Sequence, residues 1–410
     1  MRLRRFDIGI WTALVWVIIA TCILLATLLA HHEHTVTHSY YDAAKAWFQG
    51  RDVYHLTDAA GQPSIHGFLY LPTTAVLYGA LAALPFLWHE VIWRLLEIGA
   101  FAYAIARLCR MLSGVCATHG VAPLLAAVLA MLPAVACMRN GQMNLMIAVC
   151  LTLGIVALAE EGWWRATLWL ALGVALKPPM LVPALLAAAL YRQMRWRLLL
   201  GLSIALLLPF AAQSPSFVLR QYHLFAQKTA LSSRPGEAGG FADLFSLLRY
   251  AGLTLTEHTQ TCLRLAAALG TLLCCLRAAR CWPRAETAFV VLILSSVYMM
   301  LFNPRTELNT YLIPGVPVAV LAAVWLYAAP RDPTGWAMAT LIAGWMASWD
   351  LAQRETWLSP LLIIGLAIWI ATCIISKRTL WPYRSRHFRN LTPLESSSAH
   401  TARREVISNP

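Results

Sequence analysis

Residues 8–30 of the chain read IGIWTALVWVIIATCILLATLLA and contain no charged side chain. A helix needs about 20 apolar residues to cross the ~30 Å hydrocarbon core of a bilayer, so this run is long enough. It exceeds the apolar core of a secretory signal, and no small-residue cleavage site is evident. The basic residues Arg2, Arg4 and Arg5 precede it. We therefore interpret the run as a first, uncleaved membrane-spanning helix.

Comparable apolar runs recur along the rest of the chain. Of its 410 residues, 59% are hydrophobic and 12% are charged. A soluble globular domain has about 45–50% apolar and ~25% charged residues. This difference excludes a soluble enzyme, a disordered chain and a fibrous protein. We predict an all-α fold, a polytopic bundle of transmembrane helices.

The number of spans follows from charge and from proline. We find thirteen candidate runs. The basic N-terminus and the basic segment after Lys377 predict that both termini are cytoplasmic, which requires an even number of spans. The run 70–87 contains Pro72 and Pro85, and proline removes a helix donor, so we expect this run to be re-entrant or interfacial. Twelve full spans remain.

Two regions are expected. Residues 1–376 form the integral membrane domain, and the polar, Ser-rich residues 377–410 form a basic, disordered cytoplasmic tail. The net charge of +13 would favour nucleic acid in a soluble protein. In a membrane protein, orientation and attraction to anionic lipid headgroups explain it more simply. We expect membrane lipids, and no nucleic acid, as partners.

The chain carries no motif for a bound cofactor. No P-loop, GxSxG, HExxH or dinucleotide-binding glycine pattern stands in a suitable context. The 10 cysteines lie mostly within apolar runs and lack CxxC spacing. This usage predicts small packed residues rather than disulfides or a metal site.

The predicted topology places several polar segments on the outer face of the membrane. They are a first outer loop, 31–69, a long outer loop, 214–259, and the short segments 139–144, 177–179 and 303–309. Polar residues kept at membrane depth usually line a cavity or a pathway. We therefore expect these segments to form one site.

The first outer loop contains an amphipathic pattern over residues 39–49. Tyr40, Ala44 and Trp47 share one helical face, and Gly50 is a natural stop. The pattern predicts a short helix lying at the membrane interface. It serves either as a structural anchor or as a roof over an active site.

Four histidines stand together in this loop: His31, His32, His34 and His38. His34 and His38 have the spacing of one helical turn, and Asp42 lies one turn further on. A metal site would need a third ligand and an orienting second shell. We favour a hydrated interfacial cluster and expect no bound metal.

Amide and tyrosine side chains are candidates for substrate binding. Asn140 is predicted to cap a helix, and Gln142 and Asn144 add side-chain donors. They either cap that helix or bind a sugar or phosphate at its positive end. Tyr70 precedes Pro72, which predicts extended backbone before a helix.

Three charged residues border apolar runs. Lys177, between Val-Ala-Leu and Pro-Pro, either snorkels to the interface or binds a lipid-linked phosphate. Arg305 and Glu307 either form a local salt bridge or act on substrate. In the second case Arg305 clamps a phosphate, and Glu307 accepts a proton or orients a sugar hydroxyl.

The chain resembles glycosyltransferase family 87, membrane enzymes of the GT-C superfamily that use polyprenol-phosphate sugars. The resemblance covers about residues 35–315 in the family's order. The matching features are Tyr40-Tyr41-Asp42-Ala43-Ala44 with Trp47, Gly50 and Tyr54; Gly67-Phe68-Leu69-Tyr70-Leu71-Pro72; Asn140-Gly141-Gln142 with Asn144; Ala175-Leu176-Lys177-Pro178; and Asn303-Pro304-Arg305-Thr306-Glu307.

The resemblance implies a GT-C fold in a bacterial inner membrane, with the active site on the extracytoplasmic face. The donor would be a polyprenyl-phosphate sugar, often mannose or another hexose, and the acceptor a lipid or glycan. Transfer would invert the anomeric carbon. Lys177 and Arg305 would hold the phosphate, and Tyr70, Asn140, Gln142 and Asn144 would contact substrate.

One departure from the family concerns the catalytic base. The family usually carries an aspartate a few residues before the Tyr-Tyr-x-Ala-Ala stretch, whereas residues 35–38 here are Thr-Val-Thr-His. Asp42, His38 and Glu307 are the candidates to replace it. The same residues are compatible with two other functions: a transporter or flippase for lipid-linked glycans, and a non-catalytic partner of envelope enzymes.

Overall fold

The computed structural model of the chain describes residues 2–29, 35–57, 61, 64, 67–116, 121–232, 241–351 and 357–382. The described residues form α-helices and short 3₁₀ turns and contain no β-strand, which confirms the all-α prediction. In chain order the helices are α1 (Arg2–Leu29), α2 (Thr37–Phe48), α3 (Pro72–Ala82), α4 (Phe86–Cys116), α5 (Val121–Met131), α6 (Val135–Asn140), α7 (Asn144–Ala159), α8 (Trp163–Leu176), α9 (Leu181–Leu190), α10 (Met194–Leu207), α11 (Pro215–Ser232), α12 (Leu244–Tyr250), α13 (Glu257–Cys281), α14 (Arg284–Phe302), α15 (Leu312–Ala328), α16 (Pro333–Leu351) and α17 (Leu358–Ile375).

Helix length and composition make the chain an integral membrane protein. Within the described residues, 6 helices are long and apolar enough to cross a bilayer: Gly9–Leu29, Met194–Ala211, Glu257–Cys281, Arg284–Phe302, Leu308–Ala328 and Leu358–Ile375. A seventh candidate is a bent pair, and other apolar helices are only 10–17 residues long. The total of twelve spans therefore stays a prediction.

The bent pair lies where proline interrupts the predicted run 70–87. Pro72–Ala82 and Phe86–Leu112 meet at an angle of 115°. Leu71 is extended, with ψ 152°, and α3 begins at Pro72, as the proline predicts. The break at Pro85 is thus confirmed. Whether α3 re-enters or lies at the interface remains a prediction.

The core is built on two helices near the centre of the bundle. In the apolar stretches of Arg284–Phe302 and Leu308–Ala328, 83% and 78% of the residues are buried, against 6% in that of Gly9–Leu29. α15 packs on α5 and α16, and α7 packs on α8 and α4. The peripheral helices expose leucine, isoleucine and tryptophan, as lipid-facing surfaces do.

α2 confirms the helix predicted over 39–49 and is packed on protein along one face. Tyr40, Ala44 and Trp47 are buried, and Gly50 follows with a left-handed φ of 67°. The Phe48 ring lies over Gly79 of α3, in the space that a Cβ would need. Its placement at the membrane interface stays a prediction.

The packed region continues past Lys377, where the tail was expected to begin. The Trp325 indole donates a hydrogen bond of 2.8 Å to the Leu380 carbonyl. Trp381 is fully buried, with its ring centroid 4.9 Å from that of Phe289. The rest of the predicted tail, 383–410, lies outside the described residues.

Candidate active site

The predicted polar segments converge on one cavity of about 580 Å³. Its wall combines residues before and within α2, the segment before α3, the turn before α7, the break after α8, α11 and the loop after α14. Of the predicted site residues it brings together His38, Tyr70, Gln142, Asn144, Lys177, Arg305 and Glu307. That this cavity is the functional site stays a prediction.

Lys177 stands at a break between two helices. α8 ends at Leu176, Lys177 is extended, and the prolines that follow start a 3₁₀ turn, Pro178–Met180. The Lys177 Nζ donates a hydrogen bond of 2.9 Å to Asn144 Oδ1. Burial lowers the pKa of Lys177, and Glu307 opposes this effect. The ammonium is therefore held at the cavity wall.

Two asparagines connect this lysine to the carboxylate of the later loop. Asn144 Nδ2 donates to Asn309 Oδ1 at 3.0 Å. Asn309 Nδ2 in turn donates to Glu307 Oε2 at 3.1 Å. Lys177 and Glu307 thus share one hydrogen-bonded chain, which fixes the orientation of both amides.

Arg305 and Glu307 form a local ion pair, one of the two alternatives for these residues, and both also line the cavity. Arg305 Nε lies 3.7 Å from Glu307 Oε1, and the guanidinium lies over the Phe241 ring. The side chain of Glu307 is 46% exposed and that of Arg305 is 20% exposed. Both side chains are therefore accessible to a ligand in the cavity.

Tyrosine hydroxyls form a buried part of the wall. The Tyr40 and Tyr70 hydroxyl oxygens are 3.1 Å apart, and the Met143 N–H donates to Tyr40 at 3.1 Å. The Tyr54 hydroxyl donates to the Tyr70 carbonyl at 2.6 Å. The extended segment before α3 is thereby fixed against α2.

Two predicted residues do not line the cavity. Asp42 is exposed, because it lies on the face of α2 opposite the buried stripe. Asn140 was predicted to start a helix, and this is wrong. It ends α6, Gly141 follows with φ 63°, and α7 begins at Asn144. The Asn140 carbonyl accepts a hydrogen bond from the Val36 N–H.

His38 lines the cavity, with its ring stacked 4.1 Å from the Phe86 ring centroid. The other members of the cluster, His31, His32 and His34, lie outside the described residues. Among the residues that are described, no group of three or more His, Cys, Asp or Glu side chains could hold a metal.

Sequence reasoning missed a polar cluster on α4. Glu90 and Arg94 are buried and paired, with Arg94 Nη1 3.0 Å from Glu90 Oε2. The Thr37 hydroxyl donates to Glu90. Their spacing of one helical turn at the edge of a predicted span was a usable signal, since charges at that depth are uncommon without a function.

A comparison with known protein families gives one match. A sequence model of glycosyltransferase family 87 matches residues 68–304, more than half of the chain. The chain belongs to glycosyltransferase family 87. As a member of this family it is a membrane glycosyltransferase. No curated protein matches it significantly.

The glycosyltransferase match contains part of the cavity wall. Tyr70, Asn144 and Lys177 fall within it, whereas Arg305 and Glu307 follow its last residue. The assignment of these two residues to the site of this glycosyltransferase therefore rests on geometry.

Proposed function

We propose that the protein transfers a hexose from a polyprenyl-phosphate sugar to a lipid or glycan acceptor, with inversion. The observation that carries this proposal is the presence of Lys177, Arg305 and Glu307 in the wall of one cavity of about 580 Å³. Two cations suit a departing phosphate, and a carboxylate suits an acceptor hydroxyl. The reaction takes place at the extracytoplasmic face of a bacterial inner membrane, and both termini are cytoplasmic.

Lys177 and Arg305 bind the phosphate of the donor. The bond between the anomeric carbon and the phosphate oxygen breaks with its electron pair, so negative charge builds on the leaving group. A partly buried ammonium stabilises that charge more strongly than it would in water. Arg305 adds a planar guanidinium that can donate two hydrogen bonds to one phosphate.

Glu307 is the base. Among the described residues that line the cavity it is the one carboxylate. It takes the proton of the acceptor hydroxyl, whose oxygen attacks the anomeric carbon from the face opposite the phosphate. A single displacement inverts the anomeric carbon, and because the phosphate leaves as an anion without a general acid, one carboxylate suffices as the base. Tyr70, Gln142 and Asn144 hold sugar hydroxyls.

The test is transfer of radiolabelled sugar in proteoliposomes. The donors are polyprenyl-phosphate mannose and other polyprenyl-phosphate hexoses, and the acceptor is crude envelope lipid. We expect Glu307→Gln to lower single-turnover transfer about 100-fold or more, as loss of a general base does. Asp42→Asn should stay within about twofold of wild type, because its side chain is outside the cavity.

Three outcomes would contradict the proposal. If Asp42→Asn abolishes transfer and Glu307→Gln does not, the base is wrongly assigned. If Lys177→Ala leaves donor binding unchanged, the phosphate lies elsewhere. If wild type transfers no sugar while lipid-linked sugar crosses the bilayer, the protein is a transporter.

A further inference from the structure

Two charged residues on α4 are buried behind the cavity wall. The side chains of Glu90 and Arg94 are 5% and 1% exposed and lie one helical turn apart. They belong to Phe86–Leu112, the longer half of the bent candidate span. A buried ion pair often adds little to the stability of a protein, because apolar residues of the same volume can replace it without loss of stability. Stability alone therefore does not explain a buried ion pair in a candidate membrane span.

The pair contacts the first-loop segment that enters α2. Glu90 accepts hydrogen bonds from the Thr37 hydroxyl and, at 3.3 Å, from the Thr35 hydroxyl. Arg94 Nη2 donates to Thr35 Oγ1 at 3.2 Å. Thr35 and its neighbour Val36 line the cavity. The carboxylate and the guanidinium therefore fix a stretch of non-helical backbone that lines the cavity.

The same pair contacts the turn that leads into α7. Arg94 Nε and Nη2 donate to the Arg139 carbonyl at 3.3 and 2.9 Å. The adjacent Trp93 Nε1 donates to the Gly141 carbonyl at 3.1 Å. Gln142, the next residue of this turn, lines the cavity. One turn of α4 thus holds two separate segments of the wall.

The turn before α7 packs closely against Arg94 and the start of α2. A Cβ on Gly141 would lie 2.5 Å from Thr37 Cγ2 and 2.9 Å from Arg94 Nη1. The Val36 N–H also donates to the Asn140 carbonyl at 3.1 Å. The two segments and α4 consequently form one tightly packed unit.

We propose that Glu90 and Arg94 are positioning residues for sugar transfer. They set the distance between the first-loop segment and the turn before α7, and they thereby place Gln142 of that turn, which contacts the sugar, for the transfer. This inference rests on the function proposed above. The donor cations come from other segments, Lys177 after α8 and Arg305 after α14. Loss of the pair lowers turnover and leaves phosphate binding intact.

The test compares three variants. Glu90→Gln/Arg94→Met removes both charges of the pair together, so that neither member is left facing the other's vacated place. Thr35→Val keeps the pair and removes two of its contacts, the hydrogen bond to Glu90 and the one from Arg94. Arg107→Met/Glu160→Gln is the matched control, because it removes an ion pair of 2.6 Å between Arg107 of α4 and Glu160, the residue after α7. Arg107 lies about 20 Å further along the helix.

Each variant is measured in three ways: Tm in detergent, single-turnover transfer from polyprenyl-phosphate mannose, and binding of undecaprenyl phosphate. We expect the Glu90/Arg94 variant to lose about 10-fold or more in transfer, since a shift of ~1 Å at a reacting group has effects of this size. Its affinity for undecaprenyl phosphate stays within about twofold of wild type. The control keeps both properties.

A Glu90/Arg94 variant with wild-type Tm and wild-type transfer overturns the inference. If that variant does not fold, Thr35→Val decides, and unchanged transfer in it also overturns the inference. Absence of transfer by wild type is a different result, because it refutes the proposed function itself.

Discussion

Lys177 and Glu307 lie at the two ends of one hydrogen-bonded chain that runs through Asn144 and Asn309. The lysine follows a broken helix, and the glutamate belongs to a loop that joins two other helices. The asparagines hold the two charged groups apart and on one wall of the cavity. A donor phosphate and an acceptor hydroxyl are expected to meet between them.

The hydrogen-bonded chain through Asn144 predicts that Asn144→Leu lowers both sugar transfer and lipid binding. This change leaves Lys177 and Asn309 without their shared partner, and an unsatisfied buried polar group costs about 1–3 kcal/mol. We expect transfer to fall about 10-fold and undecaprenyl phosphate to bind more weakly. The measurement is single-turnover transfer together with lipid binding. Asn144→Gln, which keeps the amide, should recover part of both, and equal loss in the two variants would contradict this account.

Phosphate binding should depend on pH through Lys177. Burial lowers the pKa of this lysine, so it loses its charge at a lower pH than an ordinary lysine, whose pKa is about 10.4. Because only the charged form attracts phosphate, affinity for undecaprenyl phosphate should fall as pH rises toward that value. Binding titrations across the alkaline range measure this. Lys177→Arg should remove the dependence, since a guanidinium stays charged.

Gly141→Ala should destabilise the protein strongly. The position has φ 63°, and the new Cβ would meet Thr37 and Arg94. Strained backbone alone costs about 1–3 kcal/mol, and the clash adds to it. Gly50→Ala is the matched control, with φ 67° and nothing within 4 Å of its Cβ. A Tm loss in Gly50→Ala as large as that in Gly141→Ala would show that the close approach has no effect.

Trp381→Ala tests whether the end of the chain belongs to the packed region. The side chain is buried against Phe289, and removal of a buried tryptophan costs about 3–5 kcal/mol. Trp336→Ala is the control, because that ring is exposed and its indole makes one hydrogen bond, to the Pro330 carbonyl, so its loss should cost only about 1 kcal/mol. Thermal unfolding in detergent compares them, and equal Tm values would disprove the packing role.

Local patterns predicted much of the fold. The uncharged run 8–30, the helix before Gly50 and the break at Pro85 follow from residue types a few positions apart. Asp42 could have been set aside by the same logic, since it lies about 200° around the helix from Tyr40. The site charges Lys177 and Glu307 were visible because each interrupts apolar sequence.

Contacts between distant segments could not be predicted from the sequence. Arg94 finds Arg139 and Thr35 at separations of 45 and 59 residues, and no short pattern encodes that pairing. Asn140 shows the same limit at close range. Its place at the end of a helix depends on the left-handed Gly141, which packs against α4.

The seating of Phe48 on Gly79 has a mechanical consequence. Because Gly79 has no side chain, the Phe48 ring of α2 packs directly on the backbone of α3. A displacement of α2 that keeps this contact would therefore carry α3 with it.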